Sequence, residues 1–121
     1  MPGSTNYTVI FDKSRPAGFS DLTGIPFTIP SSCDLKSTPI LMFTIEELAD
    51  GDIRFEVSIN GQVVYHKIFD DTYRYATIHE VVQPGVVKHG ENRISFRVVR
   101  DPDDFISVSP SDAVLWWHEA K

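Results

Sequence analysis

Residues 53–64 read IRFEVSINGQVV, and this stretch decides the fold class of the chain. From position 54 to position 59, polar side chains alternate with apolar ones. This period of two places one face of a strand on a core and the other in water. Asn60-Gly61 follows at once and accepts positive φ at both central positions of a type I′ turn. The stretch therefore predicts a β-hairpin with a two-residue turn between Ile59 and Gln62.

The rest of the chain continues in short runs with strand character, separated by turn residues. The predicted strands cover residues 7–11, 25–29, 39–48, 53–59, 62–69, 75–82, 93–99, 105–108 and 113–118. Their spacing and the lack of a convincing helical pattern predict an all-β chain of eight or nine short strands. Such strands pack as a two-sheet antiparallel β-sandwich with no substantial helix.

Two segments depart from simple alternation. Residues 39–48 are apolar on both parities, which predicts a strand covered on both faces. A helix is the rival interpretation, but the β-branched and aromatic content and the leading Pro39 favour a strand. Residues 15–38 are rich in proline and glycine, so we expect a long loop there. Within it, Pro26 confines residues 25–29 to a sheet edge or a bulge.

The composition indicates one domain, residues 1–121, and excludes several classes of partner. Of the 121 residues, 41% are hydrophobic, enough for one core without disulfide or metal staples. A formal charge of −6 opposes binding to nucleic acid and to anionic membranes. Cys33 is the only cysteine, so an intrachain disulfide is impossible. Because the chain has no signal-like start and no membrane-length apolar run, we expect it to be soluble, with the compartment left open.

Three motifs resemble those of a known group of proteins, the galactose-binding-like jelly rolls. Their paired turn motifs are similar to VSING at residues 57–61 and GENRISF, about thirty residues later, at residues 90–96. Their closing strand is similar to SPSDAVLW at residues 109–116. That group includes carbohydrate-binding modules and the sugar-binding domains of glycosidases. The resemblance covers about residues 53–118. It implies a jelly-roll β-sandwich and a non-catalytic carbohydrate or small-ligand binding module.

One predicted ligand site lies around the turn before residue 75. Tyr73 and Tyr75 supply flat rings for the C–H face of a sugar, and they border the carboxylates of Asp70 and Asp71. In this hypothesis Asp70, Asp71 and Arg74 bind the sugar hydroxyls. The alternative is that the tyrosines are core-edge residues with their hydroxyls in water.

Two adjacent tryptophans supply the other ligand-site candidates. Neighbours on a strand point to opposite faces, so one of Trp116 and Trp117 belongs to the core and the other does not. Val114 with Trp116 and Leu115 with Trp117 are equally apolar, so the sequence does not decide between them. The outer ring would stack on a ligand, contact a partner or lie under the loop of residues 15–38.

Some acidic and imidazole side chains are candidate metal ligands. Asp101, Asp103 and Asp104 are hard oxygen donors on one loop, which makes a structural calcium ion possible, although solvated turns share this composition. A third ligand for a histidine metal site is lacking. If residues 62–82 form a hairpin centred on Thr72, its two histidines point to opposite faces. The four histidines are His66, His79, His89 and His118.

No catalytic constellation is visible, so we expect no enzyme. Glu46 and Glu47 are adjacent on a strand and diverge, which prevents them from flanking one glycosidic bond. Cys33 has no nucleophile signature around it. Two functions remain: the carbohydrate or small-ligand module, and a protein-interaction or assembly domain. In the second, an exposed tryptophan and the strand at residues 40–45 would form the interface of a homo-oligomer.

Overall fold

The computed structural model describes residues 4–12, 22–50, 53–69, 73–99 and 105–120. Within these ranges the chain forms eight strands and no helix, so no helix that could cross a membrane is found there. The strands are β1 (Thr5–Phe11), β2 (Leu22–Ile29), β3 (Ile40–Asp50), β4 (Ile53–Ile59), β5 (Gln62–Phe69), β6 (Tyr73–Val81), β7 (Gly90–Val99) and β8 (Phe105–His118).

The strands form two four-stranded antiparallel sheets. Sheet A has the order β1-β8-β3-β6, and sheet B has the order β2-β7-β4-β5. Only β4 and β5 are neighbours both along the chain and within a sheet; the other successive strands alternate between the sheets. This is the arrangement of an eight-stranded jelly roll. The predicted all-β, two-sheet antiparallel β-sandwich is confirmed.

The predicted hairpin between β4 and β5 is also confirmed. Ile59 pairs with Gln62, and the two turn residues between them have positive φ, 51° at Asn60 and 82° at Gly61. Positive φ at both central positions defines the type I′ turn, whose twist matches that of the flanking strands. An Asn-Gly pair adopts this conformation at little cost.

The hairpin considered for residues 62–82 does not form. β5 pairs with β4 in sheet B, whereas β6 pairs with β3 in sheet A. His66 and His79 therefore lie in different sheets, and no register slip could bring them together. The sequence shows two strands and a polar turn, but nothing in so short a segment says whether the chain returns in the same sheet or crosses to the other one.

Several strands extend further than predicted; β7, for example, begins at Gly90, three residues before its predicted start. In two of them, β2 and β8, a residue with positive φ lies at an irregularity. β2 begins at Leu22, and its register shifts before Ile25, where Gly24 has a φ of 65°. As expected, β2 is an edge strand containing a proline. β8 runs unbroken through residues 105–118, which were predicted as two strands, and Asp112 within it has a φ of 52°.

Aromatic rings join the two sheets in the core. Phe43 of sheet A contacts Phe96 of sheet B edge to face, with ring centroids 5.7 Å apart, and Phe55 at 6.4 Å. Phe11 also packs edge to face on Phe96, at 5.7 Å. Edge-to-face pairs contribute about 0.5–1.5 kcal/mol beyond the burial of their area. The largest aliphatic side chains that are fully buried with them are Ile29, Leu41, Ile45, Ile59, Ile94 and Leu115.

Asn92, at the start of β7, is buried to 1% exposure and has hydrogen-bond partners on both ends of its amide. Its Oδ1 accepts from the Lys88 backbone N–H at 2.9 Å and from Asn60 Nδ2 at 2.8 Å. Its Nδ2 donates to the carbonyls of Lys88 at 2.9 Å and Gly90 at 3.1 Å. A buried amide with these partners fixes the loop before β7.

Asn60 continues the same network from the hairpin turn. Its Nδ2 also donates to the Val86 carbonyl at 2.9 Å, and its Oδ1 accepts from the Arg93 backbone N–H at 3.0 Å. The Asn60 backbone N–H donates to the Arg93 carbonyl at 2.9 Å. The asparagine cluster (Asn60 and Asn92) therefore ties the β4–β5 turn to the loop preceding β7, which accounts for the paired NG and GEN motifs.

Candidate functional site

A row of apolar side chains crosses the outer face of sheet A. Tyr7 of β1 pairs with Trp116 of β8, Trp116 with Ile40 of β3, and Ile40 with Val81 of β6. Their exposed fractions are 54%, 37%, 41% and 50% in that order. The solvent face of a sandwich sheet is ordinarily polar, because alternation sends apolar side chains to the core. We call these four residues the outer row.

The outer row explains why residues 39–48 are apolar on both parities. Leu41, Phe43 and Ile45 enter the core, while Ile40 remains 41% exposed on the opposite side. The prediction of a strand at residues 39–48 is confirmed. The prediction that both faces of this strand are covered is wrong at Ile40. The second set of apolar residues in this strand contributes to a surface instead of a second core.

A bulge in β8 decides which tryptophan belongs to the outer row. Thr44 pairs with Ser111 and Met42 with Val114, so β8 has one residue more than β3 between these pairs. The extra residue inverts the alternation beyond Asp112. Positions 114 and 116 consequently lie on the outer side.

The two tryptophan rings have different surroundings. Trp117 is 4% exposed, and its Nε1 donates to Thr8 Oγ1 at 3.0 Å. Trp116 contacts Tyr7 with ring centroids 5.2 Å apart and an interplanar angle of 47°. Of the two tryptophans proposed from the sequence, Trp116 is the one with a ring surface open to a ligand.

A groove of about 310 Å³ lies beside the Trp116 ring. It falls at the lower end of the range for small-molecule sites. The groove crosses β1, β8 and the start of β3, and one side is apolar while the other carries hydroxyl and imidazole groups. Its lining residues are Thr5, Thr38, Ile40, Trp116, Trp117 and His118. We call this depression the Trp116 groove.

The polar side of the Trp116 groove carries no fixed charge. Thr5 Oγ1 and His118 Nδ1 are hydrogen-bonded at 3.4 Å, which orients the imidazole ring. Among the residues that the structure describes around the groove, none is Asp, Glu, Lys or Arg. Glu119, next in the chain, accepts from Asn6 Nδ2 at 3.1 Å. Hydroxyl and imidazole groups that both donate and accept suit a neutral polyhydroxylated ligand.

The first predicted ligand site lies elsewhere on the molecule. Asp70 and Asp71 fall outside the described residues. Tyr73, Arg74 and Tyr75 belong to β6, where they pair with residues 48, 47 and 46 of β3. Tyr75 is therefore in the same sheet as the outer row. It precedes Val81, the outer-row residue of β6, by six residues, which is about 20 Å along the strand.

The candidate calcium ligands Asp101, Asp103 and Asp104 also fall outside the described residues. Within the described ranges, no group of three or more His, Cys, Asp or Glu side chains is arranged to hold a metal ion. The calcium hypothesis stays a prediction.

Trp116 and Trp117 were predicted as ligand residues, and Ile40 and His118 were named in other roles, but the sequence did not point to Thr5, Tyr7 or Thr38. Tyr7, Thr5 and Thr38 were not singled out because each is unremarkable in its own segment. They meet Trp116 only through the pairing of β1 and β3 with β8, more than seventy residues away along the chain. The one local sign of this surface was at Ile40, where the strand also carries apolar side chains on the face opposite the core.

Comparisons with known proteins show the fold. No protein-family model matches the chain, and no curated protein is significantly similar to it in sequence. Dimeric latent PorU from Porphyromonas gingivalis is similar over 98% of this chain, with 10% identity and a TM-score of 0.71, but the chain spans only 13% of that protein's length.

Two further solved structures have the same architecture. A mutant of a family 29 carbohydrate binding module is similar over 93% of this chain and 92% of its own, with 15% identity and a TM-score of 0.50. A structure of infectious bursal disease virus, Gx strain, is similar over 99% of this chain and 32% of its own, with 10% identity and a TM-score of 0.50. The chain therefore has a jelly-roll fold like that of a carbohydrate-binding module, which confirms the resemblance at the level of fold.

Proposed function

We propose that this protein is a non-catalytic carbohydrate-binding module whose sugar lies in the Trp116 groove. The observation that carries the proposal is the mixed lining of the groove, in which the apolar pair Trp116 and Ile40 lies beside the polar pair Thr5 and His118, with Thr38 also in the lining. A pyranose ring has an apolar C–H face and an edge of hydroxyls, so it matches this lining in chemistry. The carbohydrate-binding-module-like fold supports the same function.

Each residue has a defined role in this proposal. The Trp116 ring stacks on the C–H face of the sugar, as indole rings do on flat apolar ligands. The hydroxyls of Thr5 and Thr38 and the imidazole of His118 exchange hydrogen bonds with the sugar hydroxyls. No residue is assigned a catalytic role, because sugar binding needs no acid, base or nucleophile.

The first region predicted from the sequence stays in the proposal as a second contact zone. Asp70, Asp71, Tyr73, Arg74 and Tyr75 would form a separate site that binds another segment of a long polysaccharide, off the line of a short oligosaccharide in the groove. We expect Tyr73→Ala combined with Tyr75→Ala to weaken binding of long glycans and to leave thermal stability nearly unchanged. Full retention of affinity for a long polysaccharide would remove these residues from the site.

Structural calcium belongs to the proposal at the loop of Asp101, Asp103 and Asp104. Carboxylate oxygens are the ligands that calcium prefers, and bound calcium would stabilise this loop against unfolding. Thermal unfolding measured with calcium and with a chelator tests the idea. A calcium concentration of about 2 mM suffices, because weak extracellular sites bind in the millimolar range. Equal melting temperatures in the two buffers would count against it.

The experiment that tests the function combines a glycan array with the variant Thr38→Val. Wild-type protein should give selective signals, and titration of the best glycan into Thr38→Val should show binding about five- to tenfold weaker, because one hydrogen bond contributes about 1–1.5 kcal/mol. The valine keeps the shape of the groove and removes only the hydroxyl. A protein silent on the array would overturn the proposal.

A second candidate function rests on the parts of the apolar surface outside the groove. Val9 and Val81 are each 50% exposed on the same face as Trp116 and do not line the groove. This apolar surface would serve an interaction or assembly domain that forms a homo-oligomer through this face. Light scattering on wild-type protein and Trp116→Asp tests it: a dimer that the acidic substitution dissociates without unfolding supports assembly, and a monomer in both contradicts it.

A further inference from the structure

We infer, on the basis of the proposed function, that the ligand is an electrically neutral, linear oligosaccharide that crosses the strands of sheet A along the outer row. The proposed function concerns one sugar ring at Trp116. This inference adds a direction, a length and a charge class.

The direction follows from where the surface is apolar. Across the strands, the outer row is continuous from Tyr7 to Val81, with one exposed apolar residue on each of four strands. Along the strands the apolar surface is shorter. It continues one pair beyond Tyr7 and Trp116, to Val9 and Val114, and it ends at the Thr5–His118 pair on one side and at the Thr44–Thr77 pair on the other. The longer apolar path for a chain of rings therefore runs across the strands.

The length follows from the spacing of the strands. Four neighbouring strands are separated by three intervals of about 4.8 Å, so the outer row extends about 14 Å. One ring of an extended pyranose chain is comparable in length with one interval. The outer row therefore accommodates about three rings, with the Trp116 groove holding the central part and Val81 lying at one end, beyond the groove.

The charge class follows from the lining and from the whole chain. The described residues that line the groove include no Lys or Arg that could pair with a carboxylate or sulfate. The chain has 17 acidic and 11 basic residues, so its formal charge of −6 also repels anionic glycans. A neutral glycan needs no cationic partner and is not repelled by the negative charge of the chain.

The test is a titration series with chains of increasing length. The probes are cello-, xylo- and manno-oligosaccharides of one to six units, together with oligogalacturonates as an anionic series. We expect affinity for at least one neutral series to rise up to about three units and then to remain constant. We expect the oligogalacturonates to bind at least tenfold more weakly than that series.

A pair of valine variants tests the direction. Val81→Thr should weaken binding of the trisaccharide about fourfold, the effect of losing apolar contact worth about one methylene group, and leave the monosaccharide unaffected. Val63→Thr is the matched control, because Val63 is an exposed valine on an edge strand of the other sheet. It should change neither affinity.

The outcomes separate this inference from the function on which it rests. If neither these probes nor any glycan on the array binds, the proposed function is wrong. If a monosaccharide binds as tightly as a trisaccharide, or Val81→Thr behaves like Val63→Thr, the sugar site stands but the crossing direction is wrong. If oligogalacturonates bind as tightly as the neutral chains, the charge class is wrong.

Discussion

The asparagine cluster and the Trp116 groove use polar side chains in opposite ways. Around Asn60 and Asn92, each amide finds partners inside the chain, at distances of 2.8 to 3.1 Å. Around Trp116, the hydroxyls of Thr5 and Thr38 border an open depression. The cluster therefore joins parts of the fold, whereas the groove keeps polar groups at the surface, where in our proposal they meet a sugar.

This difference predicts that stability and binding can be separated by mutation. Substitutions in the cluster should lower the free energy of unfolding and leave the affinity of the folded protein unchanged. Substitutions in the groove should have the reverse effect. Each of the variants below would break or sharpen this contrast, from the largest expected effect to the smallest.

Asn92→Ala should have the largest effect. It leaves the Lys88 N–H and carbonyl without their side-chain partner, and an unpaired buried polar group costs about 1–3 kcal/mol. We expect a loss of about 3 kcal/mol or more in the free energy of unfolding, measured by urea denaturation. Glu91→Ala, at the exposed neighbouring position, is the control. A stability equal to that of the control would show that the cluster is not a stabilising network.

Trp116→Ala should abolish most glycan binding. Removing a central aromatic contact costs about 2 kcal/mol or more, a factor of roughly thirty in affinity. The melting temperature should change only slightly, because the ring is 37% exposed. Ile68→Ala on sheet B, another exposed apolar position, should leave binding intact. Calorimetric titration of the array-positive glycan gives the affinity of each variant. Unchanged affinity in the tryptophan variant would show that the site is not in the groove.

Tyr7→Ala should have a smaller effect on affinity than Trp116→Ala. Tyr7 contacts Trp116 at a centroid distance of 5.2 Å but does not line the groove. It holds the indole ring in place, and such ring pairs contribute about 0.5–1.5 kcal/mol. We expect binding about fivefold weaker, measured by the same titration. A loss as large as that of the tryptophan variant would mean that Tyr7 contributes as much to sugar binding as Trp116 does.

Arg93→Ala should lower stability least. Arg93 Nη2 pairs with Glu91 Oε1 at 2.9 Å, but both side chains are 57% exposed. Exposed ion pairs contribute about 0.2–1 kcal/mol. Arg93 Nη1 also donates to the Gly24 carbonyl at 2.9 Å, near the edge of sheet B. Urea denaturation should show a change below about 1 kcal/mol; a change as large as that in Asn92→Ala would place Arg93 in the stabilising network.

Much of the fold could be predicted from the sequence because its signals are local. The type I′ turn needs only Asn60-Gly61, and the alternation around it lies within seven residues. The strand at Ile40 was recognised against a helical alternative from its own composition. What local patterns could not give was the sheet to which each strand belongs, as the separation of β5 from β6 shows.

The candidate site was harder to predict because it depends on register. One extra residue near Asp112 determines that Trp116, and not Trp117, is exposed. The sequence indicates no bulge there. The residues at odd and at even positions of this strand are equally apolar, so composition does not show which set faces the core. The partners of Trp116 come from β1 and β3, so recognising the groove required the order of strands in sheet A.

The single thiol gives this protein a built-in reporter of unfolding. Cys33 is 4% exposed in the folded chain, and its loop is fastened at both ends: His89 Nε2 donates to the Cys33 carbonyl at 2.8 Å, and the Cys33 backbone N–H donates to the Pro30 carbonyl. Burial, with a smaller contribution from the charge of Asp34, raises the pKa of the thiol, so little reactive thiolate forms near neutral pH. A thiol-specific dye should therefore react only as molecules open, and its rate would measure the opening of the sandwich without any label being introduced.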